Sequence, residues 1–473
     1  MKNTFDIIVI GAGSGGLNVA SFMVKAGFRV LLVDKSDAHI GGDCLNFGCV
    51  PSKALIHVAK IIHTAKSARQ FGLETRGKTD MQKVVEYIKS KKDFIRTHEN
   101  KAYFESIGMT VVLGHATFLS PHSILVHGIE YCGKKIVLAT GSRPRKFSVK
   151  GIEYVRILTN ETIFDIDHLP AKLLIVGGGP ISIEIGQAFA YLGSEVTIVV
   201  KEKRILPRED ESIALVLQKR MEQEGIRFYF ESVIEEIYSK NQALIKTPNG
   251  HEIQEFDEFL VAIGRELNTE GLNLEKAKIK LHDKKNIRVN EYLETTQKNI
   301  FLCGDIVGQH QFTHAAELHA SVLIRNFFVP RWLPFLKKKL NTDHLSWVTY
   351  TNPEIATFGL SETEIKKRNI AHTVIHQNFD EDDRAIVEDV TYGKAKVFVS
   401  DDGYLLGGSM VAQNAGELIQ EFILAETHRI HVSAFFAKIY PYPTSSRINK
   451  RIISSLYKEK LTPFVKNLMK ALY

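Results

Sequence analysis

Ile7-Ile8-Val9-Ile10-Gly11-Ala12-Gly13-Ser14-Gly15-Gly16 reads as a buried strand running into a glycine-rich turn. An apolar helix follows over Leu17–Lys25, and the chain returns as a strand, Arg29-Val30-Leu31-Leu32-Val33, ending at Asp34. The pattern is that of a βαβ unit built to hold a dinucleotide. Its first glycine makes the tight turn, the second lets backbone N–H groups approach a pyrophosphate, and the third packs helix on strand. Gly11, Gly13 and Gly16 take these three places. One fingerprint alone is weak, but the pattern recurs. Leu173–Val176 leads into Gly177-Gly178-Gly179-Pro180-Ile181-Ser182, then a helix to Tyr191 and a strand Glu195–Val200. Gly177, Gly179 and Ser182 hold the corresponding places, and Ser182 is small enough to pack where the third glycine would stand. Two units of the same dimensions predict an α/β chain with two Rossmann-like dinucleotide-binding domains.

Composition agrees. At 473 residues the chain is too long for one core and calls for several domains. An apolar share of 44% and a charged share of 24% are those of a globular protein, which excludes a fibre or a disordered chain. No apolar run reaches the ~18–20 residues of a membrane span. Met1-Lys2-Asn3-Thr4 passes straight into the first strand, so no secretion signal is expected. Four cysteines are too few for a disulfide scaffold and point to a reducing, cytoplasmic compartment, where a cysteine pair is catalytic rather than structural. The charge surplus is only +7, and no finger spacing or aromatic-rich RNA signature accompanies it, so no nucleic-acid partner is expected.

Further strand ends fall at Thr140-Gly141, at Gly264 and at Gly304-Asp305. From Val348 the pattern changes. Lys394–Ser400 and Tyr404–Gly408 read as antiparallel strands, and the final stretch as helix. The expected plan is a first dinucleotide domain over residues 1–160, a second over 161–283, a continuation of the first over 284–344, and a C-terminal α+β domain over 345–473.

The first unit is followed by Gly41-Gly42-Asp43-Cys44-Leu45-Asn46-Phe47-Gly48-Cys49-Val50-Pro51-Ser52-Lys53, with helical spacing of apolar residues through Ala54–Ala65. Cysteines at a helix N-terminus sit where free N–H groups and the helix dipole favour thiolate over thiol. Two buried cysteines or half of a zinc site are the alternatives. A zinc site needs four ligands, and no second cluster stands nearby, so no metal site is expected. Cys44 and Cys49 therefore read as a redox-active pair. Cys132 and Cys303 have no such context and read as small core residues, and His57 as an exposed helix residue.

Gly11–Gly16, the Cys44/Cys49 motif, Thr140-Gly141 and Gly304-Asp305 together resemble the two-cysteine flavoprotein disulfide reductases, over about residues 5–447. That family includes dihydrolipoamide dehydrogenase, glutathione reductase and mercuric reductase. The resemblance implies a homodimer, with the C-terminal domain forming the dimer interface. It implies FAD on the first unit, with Asp34 on the adenosine ribose, Gly41 and Gly42 beside it, and flavin contacts from Lys53, Ala116, Thr140, Gly141, Asp305 and Thr313. The second unit would take the nicotinamide cofactor, with Gly264 closing that pocket. Lys53 and Glu184 match an ion pair near the flavin, where a lysine can stabilise negative charge; an ordinary helix carboxylate is the other reading of Glu184. Electrons would pass from the nicotinamide cofactor through FAD to a Cys44–Cys49 disulfide, with Cys49 facing the flavin and Cys44 attacking the acceptor.

The cofactor's identity can be read from the repeat. Asp34 lies 23 residues beyond Gly11; the same offset from Gly177 lands on Val200, with no carboxylate to hold a ribose diol or repel a 2′-phosphate. Lys201, Lys203 and Arg204 follow, and Lys201 and Arg204 match the phosphate-binding positions of NADPH-using relatives. NADPH is expected in preference to NADH, and a solvated basic loop is the alternative.

Two departures bear on the acceptor. Disulfide-using relatives place a His-Pro-Thr segment in the C-terminal domain, with a Glu five residues after the His, and that His serves the partner subunit's thiol as acid and base; this chain has Tyr442-Pro443-Thr444 and Arg447. A phenol with a pKa of about 10 is a poor base near neutrality. Tyr442 and the Trp347–Glu354 stretch resemble mercuric reductase, but Lys466–Tyr473 carries no vicinal cysteine pair, and no metal-binding segment is expected ahead of the first strand. The expected acceptor is a metal ion, a quinone or a small disulfide. Dihydrolipoamide dehydrogenase is one alternative, and a redox sensor that reduces once or a membrane-surface flavoprotein is another. Phe327, Phe328, Trp332 and Phe335 among Arg325, Arg331 and Lys337–Lys339, with a basic tail from Arg447, can meet an anionic membrane or pack as solvated helices beside a dimer interface.

Overall fold

Thr4–Ile10 is buried along almost its whole length, as a strand covered on both faces must be. It lies parallel between Val30–Asp34 and Ile129–Leu138, with Ile7 opposite Val30 on one side and Ile8 opposite Ile136 on the other. Thr110–Leu113 extends this sheet beyond Val30–Asp34, and Ile300–Leu302 joins it in parallel beside Ile136–Leu138. The antiparallel strands Thr117–Ser120 and Ser123–Val126 complete seven strands. The computed structural model describes residues 3–282, 286–330, 332–460 and 463–473, the side chains of 458–460 excepted. The expected 283/284 boundary and Arg331 lie outside the described residues.

The second unit is a five-stranded parallel sheet in the order Arg227–Tyr229, Glu195–Val199, Lys172–Val176, Glu258–Val261, Ile157–Leu158. A three-stranded antiparallel meander over residues 233–255 is attached to it. The last strand, Ile157–Leu158, joins this sheet ahead of the expected start at residue 161. The return to the first domain also comes earlier than residue 284. Leu272, Leu274, Ala277 and Ile279 are buried against Phe118, Ile124 and Leu138, and the Phe118 backbone N–H donates to the Leu272 carbonyl. These apolar residues find their cover in the first core, which corrects the expected extent of the second domain. Ser142–Pro144 and Arg265–Leu267 pair antiparallel as the two-stranded link between the domains.

The C-terminal domain is a five-stranded antiparallel sheet ordered Ser346–Thr349, Glu354–Gly359, Leu405–Ala412, Lys394–Ser400, His372–Asn378. Helices including Gln420–Thr427 and Arg447–Lys460 pack against it, with Phe422, Ile448, Ile452 and Ile453 in its core. The final helix, Pro463–Leu472, buries none of its side chains, and Trp332 and Phe335 are likewise exposed. Among the described residues no helix is long and apolar enough to cross a membrane.

One helix sets the geometry of everything that follows. Cys49–Ser67 packs Leu55, Ile56 and Ala59 into the same core as Ile183, Ile185 and Phe189 of the second unit. Its N-terminal turn is thereby held where the two dinucleotide domains meet.

Candidate active site

A cleft of about 2050 Å³ runs between the domains. Single small-ligand pockets span roughly 300–1,000 Å³, so this volume suits two extended ligands meeting end to end. Both glycine turns open into it. At Gly11 (φ +105°) a Cβ would stand 2.3 Å from the Ala139 carbonyl oxygen, so only glycine allows the first turn to pass that strand. At Gly42 (φ +62°) a Cβ would stand 2.5 Å from Gly13 Cα, which shows how closely the cysteine segment is seated on the first glycine turn. Asp34, at the end of its strand, accepts from the Ala12 N–H at 2.6 Å and the Lys35 N–H at 2.7 Å. It is thus fixed against the turn with an edge towards the cleft.

Of the residues singled out from the sequence, Gly11, Gly13, Asp34, Gly42, Cys44, Cys49, Lys53, Ala116, Thr140, Gly141, Gly177, Gly179, Glu184, Lys201, Gly264, Asp305 and Thr313 line this one cleft. Gly16, Gly41 and Ser182 stand behind the lining. Ser182 is fully buried, and its hydroxyl has no partner among the described residues. Its Oγ lies 2.9 Å from where a Gly177 Cβ would be, so the serine fills the close contact between helix and turn.

Cys49 opens the long helix Cys49–Ser67, as the sequence indicated, whereas Cys44 lies in the separate short helix Gly42–Asn46 that precedes it. Both are free thiols in this structure. The Cys44 thiol donates a hydrogen bond to Cys49, which holds the Cys49 pKa well below the usual thiol range. Burial opposes that shift, while Thr313 Oγ1 at 3.3 Å and the Lys53 charge reinforce it. The same hydrogen bond, with burial, pushes Cys44 far up. The two thiols are therefore unequal, with the anion on Cys49. Four residues further along the helix, Lys53 Nζ lies 2.8 Å from Glu184 Oε2, a contact spanning 131 residues of sequence. Glu184 is buried, and its other oxygen accepts the Tyr350 N–H at 2.9 Å. Lys53 Nζ also stands 4.3 Å from the Tyr350 ring centroid. Three domains thus meet on one ion pair.

Two expectations need correction. Arg204 does not face the cleft: its guanidinium donates to the carbonyls of Ile205, Leu206, Pro207 and Glu209 at 2.8–3.2 Å and folds that loop around itself. With its donors committed to main chain, it is not free to grip a phosphate. Lys201 is exposed at the cleft wall, and Arg208, which the sequence reading passed over, lines the same wall. Cys132 is exposed rather than a core residue, whereas Cys303 is buried. Glu130, Cys132 and Lys134 share the outward face of Ile129–Leu138, and that alternation of polar residues was the available signal. Tyr442 does not line the cleft of its own chain. It is 67% exposed, donates to Asp383 Oδ2 at 3.1 Å and lies 5.3 Å from Arg447 Cζ. The Asp383 hydrogen bond pushes its pKa up, further from a useful base.

Trp347 and Tyr350 entered the sequence analysis only as part of a stretch resembling mercuric reductase, with no role, and Arg265 was missed. Trp347 Nε1 donates to buried Glu209 at 2.6 Å and stacks on Phe312 next to Thr313. These side chains come from different domains, and no local pattern marks such contacts.

Comparison with known proteins agrees with this geometry. Residues 5–320 match the family described as pyridine nucleotide-disulphide oxidoreductase, and residues 345–451 match its dimerisation domain. A mercuric reductase of Lysinibacillus sphaericus is 29% identical over 94% of this chain and 81% of the relative. A dihydrolipoyl dehydrogenase of Thermus scotoductus is 32% identical over 97% and 98%. Among solved structures, the Cu(II) complex of the HOCl-induced flavoprotein disulfide reductase RclA from Escherichia coli superimposes with a TM-score of 0.84 at 26% identity, covering 96% of this chain and 99% of that one.

Proposed function

The chain belongs to the class I pyridine nucleotide-disulfide oxidoreductases, flavoprotein enzymes that use FAD and NAD(P)H, and on that premise we propose that it is a homodimeric NADPH-dependent reductase whose Cys44–Cys49 pair delivers electrons to a soft metal ion or a quinone. The observation that carries this reading is the polarised thiol pair, with Cys49 at the N-terminus of the long helix, in one cleft with both glycine turns. The fit to FAD rests on the same geometry: a turn at Gly11 that excludes any Cβ, and Asp34 held at the strand end. When bound, FAD supplies the two-electron relay between the nicotinamide and the sulfurs.

The chain's own residues then have distinct tasks. Asp34 would hold the adenosine ribose of FAD, and Asp305, Thr313, Ala116, Thr140 and Gly141 would receive its flavin half. Gly177, Gly179 and Gly264 would frame the nicotinamide cofactor, with Lys201 placed for its 2′-phosphate. Lys53, steadied by Glu184, places a positive charge beside Cys49 that favours its thiolate. Cys44, neutral and hydrogen-bonded, is the sulfur that attacks the acceptor once it gives up its proton. Tyr442 belongs to the dimer's arrangement and offers a neutral hydroxyl, so acceptors that need little proton transfer suit this site best. The likeness to mercuric reductase and to the Cu(II)-bound RclA supports a metal acceptor.

Sustained NADPH oxidation with metal-ion and quinone acceptors is the test. A redox sensor would consume one equivalent and stop, and that outcome refutes the proposal. Cofactor choice gives a second expected result. Lys201→Ala should lower kcat/KM for NADPH about tenfold or more and leave NADH unchanged, since a charge-assisted bond to phosphate contributes ~1.5–3 kcal/mol. Arg204→Lys should weaken both cofactors together, because it loosens the loop rather than a phosphate contact. An NADH preference in the wild type overturns the assignment of Lys201.

A further inference from the structure

Arg265 stands one residue past Gly264, on the strand that carries the chain back from the second domain, yet its guanidinium reaches the cysteine segment. Its Nη2 lies 3.0 Å from Asp43 Oδ1 and donates to the Ser142 carbonyl at 3.0 Å. Its Nε donates to Ser142 Oγ at 2.7 Å and lies 3.8 Å from Asp305 Oδ2. The side chain is 11% exposed. Asp43 directly precedes Cys44, and its other side-chain partner among the described residues is Asn160 Nδ2 at 3.2 Å, which carries no charge. The groups facing Cys49 are Cys44 and Asp43 from the short helix Gly42–Asn46, Lys53 from its own helix, and the Thr313 hydroxyl. Beyond Lys53 stand Glu184, already paired with it, and the Tyr350 ring. Among the described residues Asp43 is therefore the carboxylate whose field opposes a thiolate at Cys49 and is not answered by Lys53.

We propose that Arg265 is a positioning residue that neutralises Asp43 and so preserves the Cys49 thiolate, making the charge state of the thiol pair depend on a side chain delivered by the other dinucleotide domain. The inference rests on the functional reading above. A guanidinium suits the task because its rigid fork serves Asp43, Ser142 and Asp305 at once, which a lysine's point charge does not.

The test is a pH titration of the long-wavelength thiolate-to-flavin absorbance in the reduced, FAD-loaded protein. Arg265→Gln exposes Cys49 to an unanswered carboxylate, and the midpoint should rise by about one pH unit, a tenfold loss of thiolate at fixed pH. Asp43→Asn leaves a surplus cation and should lower the midpoint. The double variant should return close to the wild type. Should Arg265→Gln fail to fold, Arg265→Lys is titrated in its place: a midpoint above the wild type's that Asp43→Asn reverses supports the proposal, and an unshifted one overturns it. A band that titrates at the same pH in all the proteins overturns the role of Arg265 and leaves the functional reading intact. Absence of the band from the wild type overturns the functional reading and this proposal with it.

Discussion

Cys44→Ser is expected to abolish turnover with acceptors reduced through the sulfurs, a loss of at least about 10³-fold, the order seen when a nucleophile is removed from a working site. The reduced protein should keep its long-wavelength absorbance, because Cys49 is still present as the charge donor. Cys49→Ser should abolish that absorbance as well as turnover. The difference follows from the hydrogen bond of Cys44 to Cys49, which places the negative charge on the second sulfur. The pH dependence has a definite sign. With its pKa depressed, Cys49 is a thiolate above that pKa and becomes protonated below it. The absorbance should therefore persist well below the ordinary thiol value of about 8.5 and fade only on further acidification. Full turnover in both variants would show that the pair is not catalytic.

Oxidation of dihydrolipoamide should be weak, by about 10²–10⁴-fold relative to an enzyme with an imidazole at this place, the usual contribution of general acid–base assistance. Tyr442 is held as a neutral phenol by its hydrogen bond to Asp383, and Arg447 stands beside its ring where a carboxylate would be needed to orient a histidine. Installing Tyr442→His together with Arg447→Glu should raise dithiol activity, whereas Tyr442→His alone should do less, since the ring would face a cation. Lipoamide turnover across pH 6–9 provides the check. A wild-type rate near neutrality typical of the disulfide-using relatives would mean that another group moves the proton.

Much of this site could be read from the chain because backbone geometry imposes it. Gly11 and Gly42 have no room for a side chain, and Cys49 opens the long helix that the apolar spacing announces. The contact between Lys53 and Glu184 came only through a family resemblance, since nothing local links residues 131 apart. Arg204 was misread because main-chain hydrogen bonds leave no trace in residue type: a clamp on four carbonyls and a phosphate ligand look alike in sequence. The early return of residues 272–279 to the first core was equally hidden, as their apolar character says they are buried but not by which sheet. Arg265 escaped notice because its partners come from three separate segments.

The folding of loop 205–209 around Arg204 also bears on how such a protein can change over generations. Shape is entrusted to one basic residue, while the neighbouring Lys201 is exposed at the cleft wall and bonds to no main-chain group among the described residues. Drift at position 201 therefore carries little risk of misfolding, and drift at position 204 carries a great deal. With the 2′-phosphate contact proposed for Lys201, a lineage built this way could move between the two nicotinamide cofactors by single steps through folded intermediates, and a library directed at residues 201 and 208, with 204 held fixed, should recover such variants at far higher frequency than one that randomises the whole basic run.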